Sequence, residues 1–319
     1  MFTVTYGHES TANPPIVTLA GEGHEVRFLP EAGFNCYYWT FLGKEILMEP
    51  VDIRMYGSKY GIPLLFPTPN RVRDAHYTWK GKTYHMTKRG EEIKIHGLVM
   101  TEKWDVTAEA FEDHAVCRGV IEIKEGDGLY EGYPFPCRLS VTYTLTRDGL
   151  RLDAKIENTG SEEMPFGFAI HPYFSKRGDA NHVYLTAPVK RVYEMDENLL
   201  PSGVITDVSG TALDVTDGLH SVESLYLDNV FRGMTEDLCA QIVFEGEGAA
   251  KVTLRGSDCF RNLIIFTPHD RPGFCLEHQT CSTDFINLYA KGFVDESGIL
   301  ILQPGQEFNA YVDLKCEAL

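Results

Sequence analysis

Two residues in this chain combine side chains and settings suited to proton transfer. His171 lies in Gly167-Phe-Ala-Ile-His-Pro-Tyr-Phe174, and Glu277 lies in Gly273-Phe-Cys-Leu-Glu-His-Gln-Thr280. Each apolar run reads as a buried strand, where an unpaired polar group is costly. One strand delivering an imidazole and another delivering a carboxylate would aim an acid and a base at a common point. The bland alternative is a core histidine bonded to a backbone carbonyl. Pro172 biases His171 toward an extended backbone, and Tyr173 and Phe174 offer an aromatic wall against which the C–H faces of a sugar ring would pack.

Four further stretches carry polar groups in telling places. In Gly61-Ile-Pro-Leu-Leu-Phe-Pro-Thr-Pro-Asn-Arg-Val-Arg73, an apolar strand runs into a Pro-rich turn and releases Asn70, Arg71 and Arg73. Arginine presents a fixed fork of donors to vicinal hydroxyls, carboxylates or phosphate. His96, in Lys94-Ile-His-Gly-Leu98, precedes a glycine that allows close backbone approach. Asp228, in Leu225-Tyr-Leu-Asp-Asn-Val-Phe231, is expected to be a buried carboxylate in need of a partner. Gln279 accompanies Glu277. Each alone has an ordinary structural reading: a turn arginine paired with an acid, a satisfied histidine, a turn-capping aspartate.

The elements that would position these residues read as β-structure. The clearest hairpin is Arg138–Thr146, an Arg147-Asp-Gly149 turn, and Leu150–Glu157. Leu139, Val141, Tyr143 and Leu145 face one way, matched by Leu150, Leu152, Ala154 and Ile156. Similar units are expected at 77–84, at 241–254 and at 299–308, the last around Pro304-Gly305. Short helices are expected around Glu194 to Leu200 and Thr235 to Cys239. With no linker, repeat or low-complexity tract, the chain reads as one domain over residues 1–319. The predicted fold is all-β, a large antiparallel β-sandwich with a concave face or open end for a ligand.

Composition bounds the function. Of 319 residues, 43% are hydrophobic, enough for a large core, and the net charge is -17. Such a surface repels nucleic acid and anionic membranes, so neither is expected as a partner. There is no signal-peptide pattern, no apolar run of membrane-spanning length, no glycosylation sequon and no Cys-x-x-Cys pair. A cytoplasmic location with reduced cysteines is expected. No zinc-ligand spacing, phosphate loop or nucleophile elbow occurs, and the Arg177-Gly-Asp179 tripeptide is read as chance. No catalytic metal is expected.

Taken in order, Asn70-Arg71, His96-Gly97, His171-Pro-Tyr-Phe174, Asp228 and Glu277 resemble the motifs of the aldose 1-epimerase (galactose mutarotase) family. Trp79-Lys-Gly-Lys-Thr-Tyr84 resembles the stretch leading to that family's His-Gly, and the likeness spans roughly residues 28–313. The resemblance implies a β-supersandwich that interconverts the α and β anomers of a free aldose without a cofactor. It implies that His171 is the general acid at the ring oxygen and Glu277 the general base at the anomeric hydroxyl. Arg71, His96 and Asp228 would hold sugar hydroxyls, and Asn70 and Gln279 are counted with them. The chemistry agrees: opening a hemiacetal needs proton removal from O1 and proton delivery to O5, from groups on opposite sides, each worth a factor of about 10²–10⁴.

Three departures from the family pattern stand out. His96 is followed by Gly-Leu-Val rather than Gly-Gly, and Glu277 by His278 rather than proline. Arg73, Lys88 and Arg89 add positive charge, which raises a hexose-6-phosphate 1-epimerase as the second reading behind a neutral-sugar enzyme. A non-catalytic carbohydrate-binding protein and a glycoside hydrolase using Asp228 with Glu277 are further alternatives. The sequence is compatible with a homodimer but does not fix an oligomeric state.

Overall fold

The computed structural model describes residues 1–8, 14–53 and 59–319. Antiparallel sheets dominate it. A nine-stranded sheet runs, in spatial order, Asp105–Ala110, Ala115–Ile123, Cys137–Thr146, Gly149–Asn158, Glu307–Ala318, Ala250–Gly256, Ala240–Phe244, Val183–Thr186 and His220–Ser221. An eight-stranded sheet carries the chemistry: Pro201–Asp207, Arg191–Met195, Asp228–Arg232, Asn262–Phe266, Gly273–Gln279, Ala169–Ile170 and Leu64–Leu65, with Tyr173–Ser175 also paired to Gly273–Gln279. The N-terminal strands, from Thr3–Gly7 to Lys44–Glu45, form a five-stranded sheet.

The predicted hairpin forms with Leu139 opposite Ile156, Val141 opposite Ala154 and Tyr143 opposite Leu152. Gly149 takes φ 126°, and a side chain there would sit 2.3 Å from the Leu314 carbonyl oxygen, so glycine is required on both counts. The expected hairpins near 77–84 and 241–254 also pair. The one at 299–308 does not. Its turn forms, with the Gln306 amide donating to the Gln303 carbonyl, but Leu300–Leu302 pairs with Met164–Phe166 and the following strand joins the nine-stranded sheet. The two predicted helices are also absent: 191–195 is a strand and 235–238 a turn closed by a Leu238 to Thr235 bond. The α-helices among the described residues are Phe285–Ala290 and Val294–Ser297, neither long enough to cross a membrane.

One core joins the sheets, uniting Leu139, Val141 and Leu152 of the nine-stranded sheet with Phe231, Leu263, Ile265 and Leu276 of the eight-stranded one. Period-two alternation then puts the neighbours of the latter set on the opposite face. Asp228 and Val230, Ile264 and Phe266, and Cys275 and Glu277 share that face, away from the core.

Candidate active site

Strand register aligns these residues into two rows. Asp228 pairs with Phe266, Phe266 with Cys275, and Cys275 with Tyr173. In the next row Val230 pairs with Ile264 and Ile264 with Glu277. Above them opens a cavity of about 250 Å³, smaller than drug-sized pockets and on the scale of one sugar ring. Asn70, Arg71, His96, His171, Asp228 and Glu277 all line it.

The Asn70-Arg71 wall is held by local backbone geometry. Asn70 adopts φ 59°, a conformation asparagine tolerates better than most residues. Its side-chain oxygen accepts from the Arg71 amide at 2.8 Å and from the Arg71 guanidinium at 3.3 Å. Its carbonyl accepts from the His96 amide at 2.8 Å, and the Arg71 carbonyl accepts from the Asp284 amide at 2.9 Å. The glycine after His96 serves the close approach expected of it: a Cβ on Gly97, at φ 72°, would lie 2.4 Å from the Phe66 carbonyl oxygen.

His171 sits in the break between Ala169–Ile170 and Tyr173–Ser175, its amide bonded to the Pro63 carbonyl. Its ring stacks on Tyr173 at 4.6 Å and meets His96 edge-on at 5.2 Å. Its Nε2 lies 3.2 Å from Glu277 Oε1. The acid and base candidates are thus in contact in the open site rather than on opposite sides of a ring-sized gap. That is compatible with hemiacetal chemistry, because O1 and O5 are bonded to the same carbon.

Both groups are almost wholly enclosed, His171 being 6% exposed and Glu277 3%. Burial pushes the Glu277 carboxyl well above its ordinary range and the His171 imidazole well below its own, the latter helped by His96. Burial of both groups therefore favours a pair that holds a single proton. Losing it leaves a buried anion and gaining another a buried cation, whereas the ion pair and the uncharged pair have the same net charge. His96 is lowered to about 4 by burial and by the Arg71 charge, and is neutral near pH 7.

Four expectations need correction. Gln279 does not line the cavity: it is fully enclosed behind Glu277 and donates its amide to Glu277 Oε2 at 2.9 Å, so it orients the carboxylate. Asp228 is exposed at the cavity mouth rather than buried. Phe174 packs in the core, and the aromatic lining is Tyr173 together with Phe266. The basic set does not face the cavity: Lys88 and Arg89 pair with Glu102 at 3.2 and 2.6 Å, and Arg73 with Asp196 at 3.1 Å. Two cations that the sequence reading passed over do line it, Lys59 and Arg271. The available signal for Arg271 was its place in the turn before the strand that delivers Glu277.

His171, Cys275 and Glu277 also place potential metal-ligand atoms within 4.8 Å of one another. Burial raises the Cys275 thiol well above its ordinary range, so a metal would have to displace its proton.

Residues 37–315 match the family model for aldose 1-epimerase. Mouse galactose mutarotase is 29% identical over 272 residues, covering 75% of this chain and 74% of that protein. The uncharacterised protein YihR of Escherichia coli is 24% identical over 263 residues, covering 81% and 82%. In fold, a galactose mutarotase-like protein from Clostridium acetobutylicum superimposes with a TM-score of 0.88 at 21% identity, covering 100% of this chain and 99% of that one. With the family match spanning most of its length, the chain belongs to the aldose 1-epimerase family.

Proposed function

We propose that the protein is an aldose 1-epimerase, interconverting the α and β anomers of a free aldose by ring opening and reclosure. The carrying observation is the 3.2 Å contact between His171 and Glu277 at the base of a sugar-sized cavity.

In the ring-opening direction the pair acts as Glu277 carboxylate and His171 imidazolium. Glu277 takes the proton from the anomeric O1 as the C1–O5 bond breaks, and His171 gives its proton to O5. The product is an open-chain aldehyde and an uncharged pair, Glu277 now protonated and His171 neutral. Rotation about C1–C2 presents the other carbonyl face, and the same transfers in reverse close the ring as the other anomer. The pair keeps one proton throughout, the count that burial favours. Gln279 steadies the carboxylate from behind, Tyr173 packs on the imidazole, and Asn70, Arg71, neutral His96 and Asp228 present donors and acceptors to the hydroxyls.

A hydrolase pairing Asp228 with Glu277 has less support. Asp228 is at the mouth, and Glu277 touches an imidazole rather than facing a second carboxylate across a groove.

Polarimetry of freshly dissolved α-glucose and α-galactose tests the reading. Equilibration faster than buffer in proportion to enzyme is expected. A rate equal to buffer on every aldose tried, including sugar acids and sugar phosphates, overturns it.

A further inference from the structure

We infer that the cavity is built for an aldose carrying an anionic group, a carboxylate or phosphoryl, on the carbon chain beyond the ring oxygen. This rests on the epimerase reading and names its substrate class.

Three cations line the cavity, Lys59, Arg71 and Arg271, and none forms an ion pair among the described residues. That is unusual here, because 46 acidic residues outnumber 29 basic ones and other cations have found carboxylates, including Lys88, Arg89 and Arg73. Asp228 is the one carboxylate at the mouth among the described lining residues and pairs with no cation. A cationic recess in a chain of net charge -17 concentrates its positive field on whatever enters. Arg71 has an explanation in the hydroxyl-binding wall, tied to Asn70. Lys59 has none, and Arg271 has only a long contact with the Phe266 ring.

Their placement fits the chemistry of a sugar ring. His171 serves the ring oxygen, and the carbon bearing the exocyclic group is bonded to that oxygen. The group therefore leaves the ring beside His171. His96 adjoins His171 on one side and Tyr173 stacks on it on another. The strand Tyr173–Ser175 is flanked by the two segments that carry the free cations. The Tyr173 amide donates to the Gly61 carbonyl at 2.8 Å, two residues from Lys59. On the other edge Tyr173 pairs with Cys275, four residues from Arg271. Arg271 also lies over Phe266, its guanidinium carbon 5.7 Å from the ring. Lys59 and Arg271 thus both line the cavity from segments bonded to Tyr173, and a carboxylate or phosphoryl on the exocyclic carbon would take their charge-assisted hydrogen bonds.

The test compares catalysed anomer exchange, with the buffer rate subtracted, for glucose against glucuronate and glucose 6-phosphate, and for galactose against galacturonate. The expected result is a kcat/KM at least about tenfold higher for an anionic sugar than for its neutral parent, with the ratio falling as salt is added. Arg271→Gln should lower kcat/KM for the anionic sugar at least about tenfold more than for the parent, and chiefly through KM. Lys59→Gln, at an exposed side chain, provides a second variant should the first fold poorly. A preference confined to glucuronate and galacturonate assigns a carboxylate, and one confined to glucose 6-phosphate a phosphoryl. Neutral parents turned over as well as their anionic relatives, or a preference unchanged in both variants, overturns the inference while leaving the epimerase reading standing. No catalysed exchange on any of these sugars overturns the epimerase reading itself.

Discussion

His171 Nε2 and Glu277 Oε1 stand 3.2 Å apart, almost wholly enclosed, and burial above all shifts both toward their uncharged forms. Two titratable groups so placed behave as one unit with two macroscopic pKa values pushed apart. Catalysis by the one-proton form should give a pH–rate profile with a broad plateau through neutrality. Its acid limb marks uptake of a second proton, below the ordinary histidine value. Its alkaline limb marks loss of the last, above the ordinary carboxylate value. A kcat/KM profile from pH 4 to 10 checks this, and a narrow bell centred near pH 5.5 would contradict it.

Gln279 should act on rate through Glu277. Its amide bond to Oε2 stabilises the carboxylate form, the base for ring opening. In Gln279→Leu the proton rests more firmly on Glu277, so kcat should fall by about 10–100-fold while KM changes little, by analogy with groups that orient a reacting ligand from behind. The alkaline limb should move to higher pH. An unchanged limb would reduce Gln279 to packing.

The sequence foretold some of this arrangement. Alternation in 138–157 fixed a hairpin and its facing residues, because period two is a direct readout of which side of a strand is dry. The same alternation separates Glu277 from His278, which lies fully buried on the core side. Depth was not legible: Gln279 shares the Glu277 face, yet two residues along the strand it is sealed from the cavity. Asp228, read as buried between apolar neighbours, lies at the strand end and is exposed. Lys59 and Arg271 were missed because they lie outside the strands, where no periodicity reports which way the chain turns. The helices expected at 194–200 and 235–239 failed on short polar runs that turn chemistry satisfies equally well.

Gly97→Ala should be destabilising and should move His96. The added methyl meets the Phe66 carbonyl at 2.4 Å, and φ 72° disfavours any side chain. A loss of about 1–3 kcal/mol in denaturant unfolding is expected, with a raised KM because the His96 wall shifts. Wild-type stability and KM together would show that the close approach is not enforced.

Acid should weaken the fold before it protonates ordinary carboxylates. His278, with both ring nitrogens lacking a protein partner, and His96 are lowered from 6.5 to about 4 by burial. A depressed group takes up a proton on unfolding, so its contribution is fully present above pH 6.5 and lost as pH falls toward 4. Each can cost on the order of a few kcal/mol over that window. Glu277, raised by burial, opposes this with stability that grows at low pH. The histidines dominate in number, so urea midpoints should fall between pH 6.5 and 4.5. His278→Leu, which keeps the core filled, should flatten that slope; an equally steep slope in the variant would refute the assignment.

The most direct measurement is single-residue replacement of the pair, read by anomer exchange on the best aldose substrate. Glu277→Gln and His171→Asn should each lower kcat by about 10²–10⁴ while calorimetry still detects sugar binding, whereas Arg71→Ala should mainly weaken binding. Small and equal effects of all three on kcat would contradict the account, because they would place the proton transfers elsewhere.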